Sequence, residues 1–373
     1  MCIRDRYKSF PMGFRTVCPG PDLEPESKEF TGYNATLTKK VPASAVFAET
    51  TAEAHLAGAG LWWNSMGVFD SARRGPRTGG EVVRSHIAQA AGGTDAYVFS
   101  YRHLEVHAYV LAEPVPHVLY CTYGKSRVES SQPSAGTQTE LTLRVPGTPA
   151  LPDEWPAKLL ARAARDDIEP GHYLVLDNPR GTLAGFAFVT DPVLGTLDGP
   201  TGRIRFTYAV GLNGDDVEHM LSWDPLKFAA FVGDRVPLGL SSTDRDPIGA
   251  DPQARALLDE AVGAEGSSIG AMHARYLEVD AGGRVDLDPA AARAIIRAAR
   301  HRILHGRTFA LLNGDIWFLL DPQLSAAELT DDHIAVPATT ALAHELLAVF
   351  DAVPGLYRLR TAPLEIRVVD PTT

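Results

Sequence analysis

Apolar residues recur at every second position in several short runs of this sequence, and that period limits the folds open to it. In Glu140–Val145, Leu141, Leu143 and Val145 fall on one side and Thr142 and Arg144 on the other, the pattern of a half-buried strand. Phe206, Tyr208, Val210 and Leu212 repeat it, as do Leu364, Ile366 and Val368. Between these runs the period lengthens to that of a helix. Asp153 can cap a helix striped by Trp155, Leu159, Leu160 and Ala163. Asp288, with Pro289 in the first turn, opens another striped by Ala292, Ile295, Ile296, Ala299 and Ile303. Short strands interleaved with amphipathic helices predict an α+β protein in two lobes, each a mixed or antiparallel sheet with packed helices.

The chain has 373 residues, enough for two separate cores. A formal charge of −11 argues against a nucleic-acid surface, which needs clustered Lys and Arg to displace counterions. No apolar run approaches the ~20 residues that span a bilayer. The three cysteines, at positions 2, 18 and 121, show no pairing pattern, so a reducing, cytoplasmic setting is expected. Residues 1–6, Met1-Cys2-Ile3-Arg4-Asp5-Arg6, read back into a transposon end used in sequencing libraries and are set aside as an adapter artefact. Residues 7–80 are expected to be a mobile extension and linker, residues 81–249 the first domain and residues 250–373 the second lobe. The Pro-, Gly- and Asp-rich stretch Pro237–Pro252 is the expected link between them.

Few residues point to chemistry. Gly124-Lys125-Ser126 resembles the end of a phosphate-binding loop, but that motif needs a glycine where Leu119 stands. His103, Glu105 and His107 alternate, so a strand would put three potential metal ligands on one face. No second cluster completes them, and a polar strand face is the simpler reading. His301 and His305 are four apart, as ligands on a helix would be, yet a structural role at a helix-to-strand turn is favoured. The acidic pairs Asp166-Asp167, Asp215-Asp216 and Asp331-Asp332 sit at helix ends or turns and read as solvated. Cys121 lies mid-strand, as a small buried hydrophobe would. No catalytic residue, metal or cofactor is assigned.

Six pieces in a fixed order resemble the Suppressor of Fused family: Leu119–Arg127 (LYCTYGKSR), Glu140–Val145, Pro152–Ala164, Pro170–Pro179, Thr190–Leu212, and a Leu304-His305-Gly306-Arg307 run within Ile303–Leu319. The resemblance implies a non-enzymatic protein that takes a partner peptide as an added strand in a cleft between two lobes. Its cleft-lining segments correspond to Tyr120–Arg127, Phe206–Leu212 and Arg275–Val279. The expected partner-binding residues are therefore Tyr123, Arg127, Tyr208, Val210, Leu212, Arg275, Tyr276 and Leu277. Arg127 stands where animal members carry an Asp, which favours an acidic rather than a basic group on the partner. Bacterial members look like immunity proteins encoded beside secreted toxins, and toxin neutralisation is the leading expectation. The alternatives are an animal-type repressor of a Gli-like transcription factor and a metal-dependent enzyme using His103, Glu105 and His107.

Overall fold

The computed structural model describes residues 36–41, 80–101, 104–126, 137–199 and 202–370. Residues 1–6, most of the expected extension, His103 and Arg127 lie outside them. Within that extension the backbone of β1 (Thr36–Val41) pairs with β2 (Ala96–Ser100), so this part is not a free tail.

The first lobe is built on one sheet. Its strands continue with β3 (Glu105–Leu111), β4 (His117–Tyr123), β5 (Thr137–Pro146), β6 (Tyr173–Arg180), β7 (Leu183–Thr190), β8 (Thr196–Gly199) and β9 (Gly202–Asn213). The spatial order is β1-β2-β3-β4-β5-β9-β7-β6, with β8 also on β9. Every pairing is antiparallel except β5 with β9, so the sheet is mixed, as expected.

Helices cover both faces. Helix α1 (Gly80–Ala90) puts Val83 and Ile87 against Leu119, Cys121 and Phe206. Helix α2 (Glu154–Ala163) covers the opposite face, against Tyr120, Leu141 and Leu143. Strand β4 is consequently buried at all its residues.

Helix α2 lies rotated from the stripe expected for it. Pro156, Ala157, Leu160, Ala161 and Ala163 are buried, while Trp155 and Leu159 sit at the margin of the core. Arg180 covers the Trp155 ring, its guanidinium 5.0 Å from the ring centre. Trp155→Ala is therefore expected to cost about 1–2 kcal/mol in urea unfolding, less than the ~3–5 kcal/mol of a fully buried Trp.

Three more helices close the other end of this lobe: α3 (Asp216–Ser222), α4 (Pro225–Gly233) and α5 (Pro252–Glu265). Asp251 caps α5, whose Ala254, Leu258 and Val262 pack with Val217, Met220 and Phe228. Helix α5 thus belongs to the first core, although the boundary was expected before it.

The stretch between them is no free link. Ser241 N–H donates to Arg144 O at 2.8 Å, Thr182 N–H to Thr243 O at 2.8 Å and Asn213 Nδ2 to Ser242 O at 2.8 Å. Asp216, expected to be solvated, is fully buried and accepts from Asn213 N–H, Ile248 N–H and Arg245. Backbone bonded in this way resists a protease. Limited proteolysis of the full chain is expected to leave 237–252 uncut while other loops are cleaved, and an early cut there would contradict this packing.

The second lobe holds two sheets around one core. The first comprises β10 (Ala271–His273), β13 (Phe309–Asn313), β14 (Ile316–Asp321), β16 (His333–Pro337) and β15 (Glu328–Leu329), in that spatial order. The second runs β11 (Leu277–Val279), β12 (Arg284–Leu287), β18 (Glu365–Val368) and β17 (Gly355–Arg358). Helices α6 (Pro289–His301) and α7 (Thr340–Val349) seal the core, Ile295, Ala299, Leu342 and Leu346 packing with Phe309, Phe318, Ile334 and Ile366. Among the described residues no helix is long and apolar enough to cross a membrane.

Candidate partner-binding seam

The expected cleft residues divide sharply in the structure. Tyr208, Val210 and Leu212 lie on β9, between β5 and β7, and are at most 3 % exposed. Past Tyr208, where the pairing with β5 ends, Ser241 approaches β9 and its hydroxyl donates to Ala209 O at 3.4 Å. The Tyr208 hydroxyl donates to Gly239 O at 2.6 Å, and Arg144 lies 4.8 Å from the ring centre. Burial pushes the pKa of that hydroxyl above its ordinary value. Up to Tyr208 both edges of β9 are paired, which leaves no main-chain edge there, and beyond it Ser241 and Arg245 reach Ala209 O and Gly211 O.

Tyr123 is also core. Its ring lies 5.2 Å from that of His107, with the Arg84 guanidinium 4.4 Å from its centre. Leu277 is buried in the second lobe. Arg127 lies outside the described residues. Only Arg275 and Tyr276 reach the surface, and the two are adjacent.

One buried carboxylate sets their position. Asp288 is 2 % exposed and caps α6, its Oδ1 accepting from Ala290 N–H at 2.7 Å and Ala291 N–H at 3.0 Å. Its Oδ2 accepts from Arg275 N–H at 3.0 Å and Tyr276 N–H at 3.1 Å. Four amides on one carboxylate tie the start of β11 to the helix N-terminus, where a negative charge is favoured. The capping role is legible from Asp288-Pro289; the second pair of amides comes from a distant turn and carries no sequence signal.

Strand β11 is an edge of its sheet. Asp288 N–H donates to Tyr276 O and Asp280 N–H to Arg284 O. With the antiparallel register Glu278↔Asp286, residues 276, 278 and 280 turn their main chain toward β12. Leu277 and Val279 therefore direct theirs away from it. In the first lobe β6 is likewise an edge strand, whose pairing with β7 is interrupted between Val175 and Arg180. Asp177, in that interrupted part, forms an ion pair with Arg275, both side chains well exposed. One exposed ion pair thus links the residues just before β11 to the interrupted part of β6, a contact worth at most about 1 kcal/mol.

The other candidate residues are occupied structurally. Glu140 is fully buried, and its Oε1 accepts from Gly124 N–H at 3.0 Å, Ser126 N–H at 2.8 Å and Ser126 Oγ at 2.5 Å. The amides that could cradle a phosphate hold a carboxylate of the same chain. Lys125 extends to Ala164 O and Asp166 O. Glu105 pairs with His107 at 3.1 Å and lies 3.8 Å from Arg84; His103 is outside the described residues. Among those residues there is no group of three or more His, Cys, Asp or Glu that could hold a metal. Burial, aided by nearby Arg300, lowers the pKa of His301 to about 4, so its ring is neutral at pH 7. The cavity lined by Leu221, Ser267, Ile269, Met272 and Phe309 measures about 10 Å³, room for no more than a single water.

Comparison with known proteins adds the family context. Residues 100–245 match the family described as Suppressor of fused protein (SUFU). The chain is similar to the crystal structure of Drosophila Suppressor of Fused, with a TM-score of 0.60 and 16% identity over 79% of this chain and 98% of that one. That likeness extends past the matched block and carries the fold. A Sufu–Fu complex is similar at a TM-score of 0.43 and 20% identity, over 49% of this chain and 98% of that one. A SUFU homologue from Neisseria gonorrhoeae gives a TM-score of 0.36 and 12% identity, over 45% and 96%. No curated protein matches the chain.

Proposed function

We propose that this chain, whose residues 100–245 match the Suppressor of Fused family, is a non-enzymatic protein that sequesters another protein by taking one of its strands between the lobes. The observation that carries this reading is β11, an edge strand with two outward-directed residues beside a rigidly set Arg275 and Tyr276. Main-chain bonds to Leu277 and Val279 supply affinity, and Tyr276 and Arg275 select side chains. Because Arg275 already holds a carboxylate, that of Asp177, the favoured partner group is acidic. The finer form of the proposal is an immunity role, with a toxin as the sequestered protein.

The test uses the full chain and a partner recovered by pull-down. Val279→Pro removes an N–H directed away from β12 without touching the β12 ladder. It is expected to weaken binding more than tenfold, which is at least about 1.4 kcal/mol. Arg275→Asp is expected to slow association and weaken binding while leaving Tm nearly unchanged, because the exposed pair contributes little to folding. Binding by Val279→Pro at wild-type affinity would remove β11 as the docking strand.

A further inference from the structure

Strand β17 ends the second sheet of the C-terminal lobe, with β18 on one side and no strand on the other among the described residues. Its surface is unusually open, since Gly355, Leu356 and Arg358 are all exposed. Val349, at the end of α7, and Val353, in the following turn, are exposed as well. With Leu356 they make three apolar side chains 49–56 % open to solvent. The turn between them is held to the strand. The Tyr357 hydroxyl donates to Val353 O at 2.8 Å, and the Tyr357 ring meets that of Phe350 edge-on at 5.0 Å. A fixed apolar patch beside an unpaired strand edge is a template for another strand.

Register decides which main-chain groups face that edge. Leu359 N–H donates to Leu364 O at 3.1 Å, in the same register that sets Tyr357 opposite Ile366. Alternation then bonds Gly355 and Tyr357 to β18 and turns the main chain of Leu356 and Arg358 outward. The far side of β18 agrees, because Glu365, opposite Arg358, donates its N–H to Gly283 O at 3.0 Å, toward β12. Pro354, the next residue of outward parity, has no N–H to offer. The charges are ordered along the same stretch. Asp351 precedes the strand, whereas Arg358 ends it and Arg360 follows. Laid antiparallel on a second copy, the acidic flank of each strand meets the basic flank of the other. Centred on Tyr357, the pairing sets Leu356 opposite Arg358 of the second copy, so both outward residues exchange hydrogen bonds and no like charges face each other. A register centred on Leu356 would set Pro354 against Arg358 and lose a donor.

We infer that the outer edge of β17 is a self-association surface, at which two copies of this chain join their second sheets about a twofold axis beside Tyr357. The interface is small, two exchanged pairs of main-chain bonds flanked by Val349, Val353 and Leu356, so the dimer is reversible. Strand β11 lies at the opposite end of the same sheet. A dimer through β17 therefore leaves β11 uncovered in both copies, and a partner with two matching segments gains from binding both. The dimer itself does not rest on the docking role of β11.

The test is sedimentation equilibrium of the full chain in reducing buffer, from low to high micromolar concentration. The parent is expected to pass from monomer to dimer mass. Leu356→Asp and Arg358→Pro are each expected to raise the dissociation constant at least about tenfold, the first by placing a charge in the patch and the second by removing an outward N–H. Leu151→Asp, the same change at an exposed site in the first lobe, is expected to leave it unaltered. Hydrogen exchange at dimer concentrations should protect the amides of Leu356 and Arg358 and leave that of Tyr357, already turned to β18, as it is in the monomer. A parent that stays monomeric at the highest concentration overturns the inference. So does a dimer that Leu356→Asp leaves intact, or one that Leu151→Asp weakens as much; because Leu356 is exposed, this arm stands even if Arg358→Pro does not fold. Protection of Leu356 and Arg358 only on adding a different protein would also overturn it, giving the edge to a foreign strand.

Discussion

Arg144→Ala is expected to lower the unfolding free energy of the first lobe by about 3–5 kcal/mol, because it strands a buried carboxylate. Arg144 and Asp191 form a two-pronged pair at 2.8 and 2.9 Å in the middle of the sheet, with side chains at most 2 % exposed. Asp191 also accepts from Thr142 Oγ1 at 2.6 Å and from the amides of Val193 and Leu194. Burial alone would raise the pKa of this carboxyl, but the charge of Arg144 and these hydrogen bonds outweigh it and hold the pKa below the ordinary value. A depressed carboxylate contributes stability that is fully present above its unfolded pKa, about 3.9, and lost as pH falls through the lower folded value. Urea unfolding of the parent should therefore weaken below about pH 4, and that acid dependence should be smaller in Asp191→Asn. If Arg144→Ala costs less than about 1 kcal/mol, water must reach Asp191 and the packing of β5 against β9 is wrong.

Gly266→Ala is expected to cost about 3 kcal/mol or more, from backbone strain together with a clash that neighbouring backbone cannot relieve. Gly266 has φ +65° and ψ −171°, a conformation essentially reserved for glycine. A Cβ built there would lie 2.4 Å from His301 O and 2.8 Å from the His305 ring. The carbonyl belongs to the last turn of α6 and cannot retreat without shifting that helix. The variant should lower Tm in thermal unfolding of the full chain. A Tm within about 1 °C of the parent would show that the chain after α5 adjusts freely, contrary to a ΔΔG of this size.

How much of this was legible in the sequence differs from element to element. Alternation correctly marked β5, β9 and β18 as strands, because a period of two reports which side chains are buried. It is silent on which strands lie beside them. Thus Val210 and Leu212 read as apolar cleft wall, whereas their side chains are buried in the core of the first lobe. Helix α6 was legible through Asp288-Pro289, because an N-cap is a local device. Helix α2 was placed correctly but turned, since Trp155 sits over a surface that only Arg180 completes. The density of Pro, Gly and Asp in Pro237–Pro252 reports irregular backbone, and irregular backbone can be fully bonded, as Ser241, Ser242 and Thr243 show. Asp177, the partner of Arg275, is 98 residues away from it, and such a pairing has no local signature.

The central claim is that β11 is the docking strand, and hydrogen exchange on the full chain with and without its partner tests it most directly. Leu277 and Val279 direct their amides away from β12, whereas Glu278 faces Asp286 across the ladder. An added strand must bond the first two and can leave the third unchanged. The predicted result is strong new protection at Val279 and Leu277 on complex formation, with little change at Glu278. Protection confined to other surfaces, with Val279 exchanging as it does in the free protein, would contradict the account.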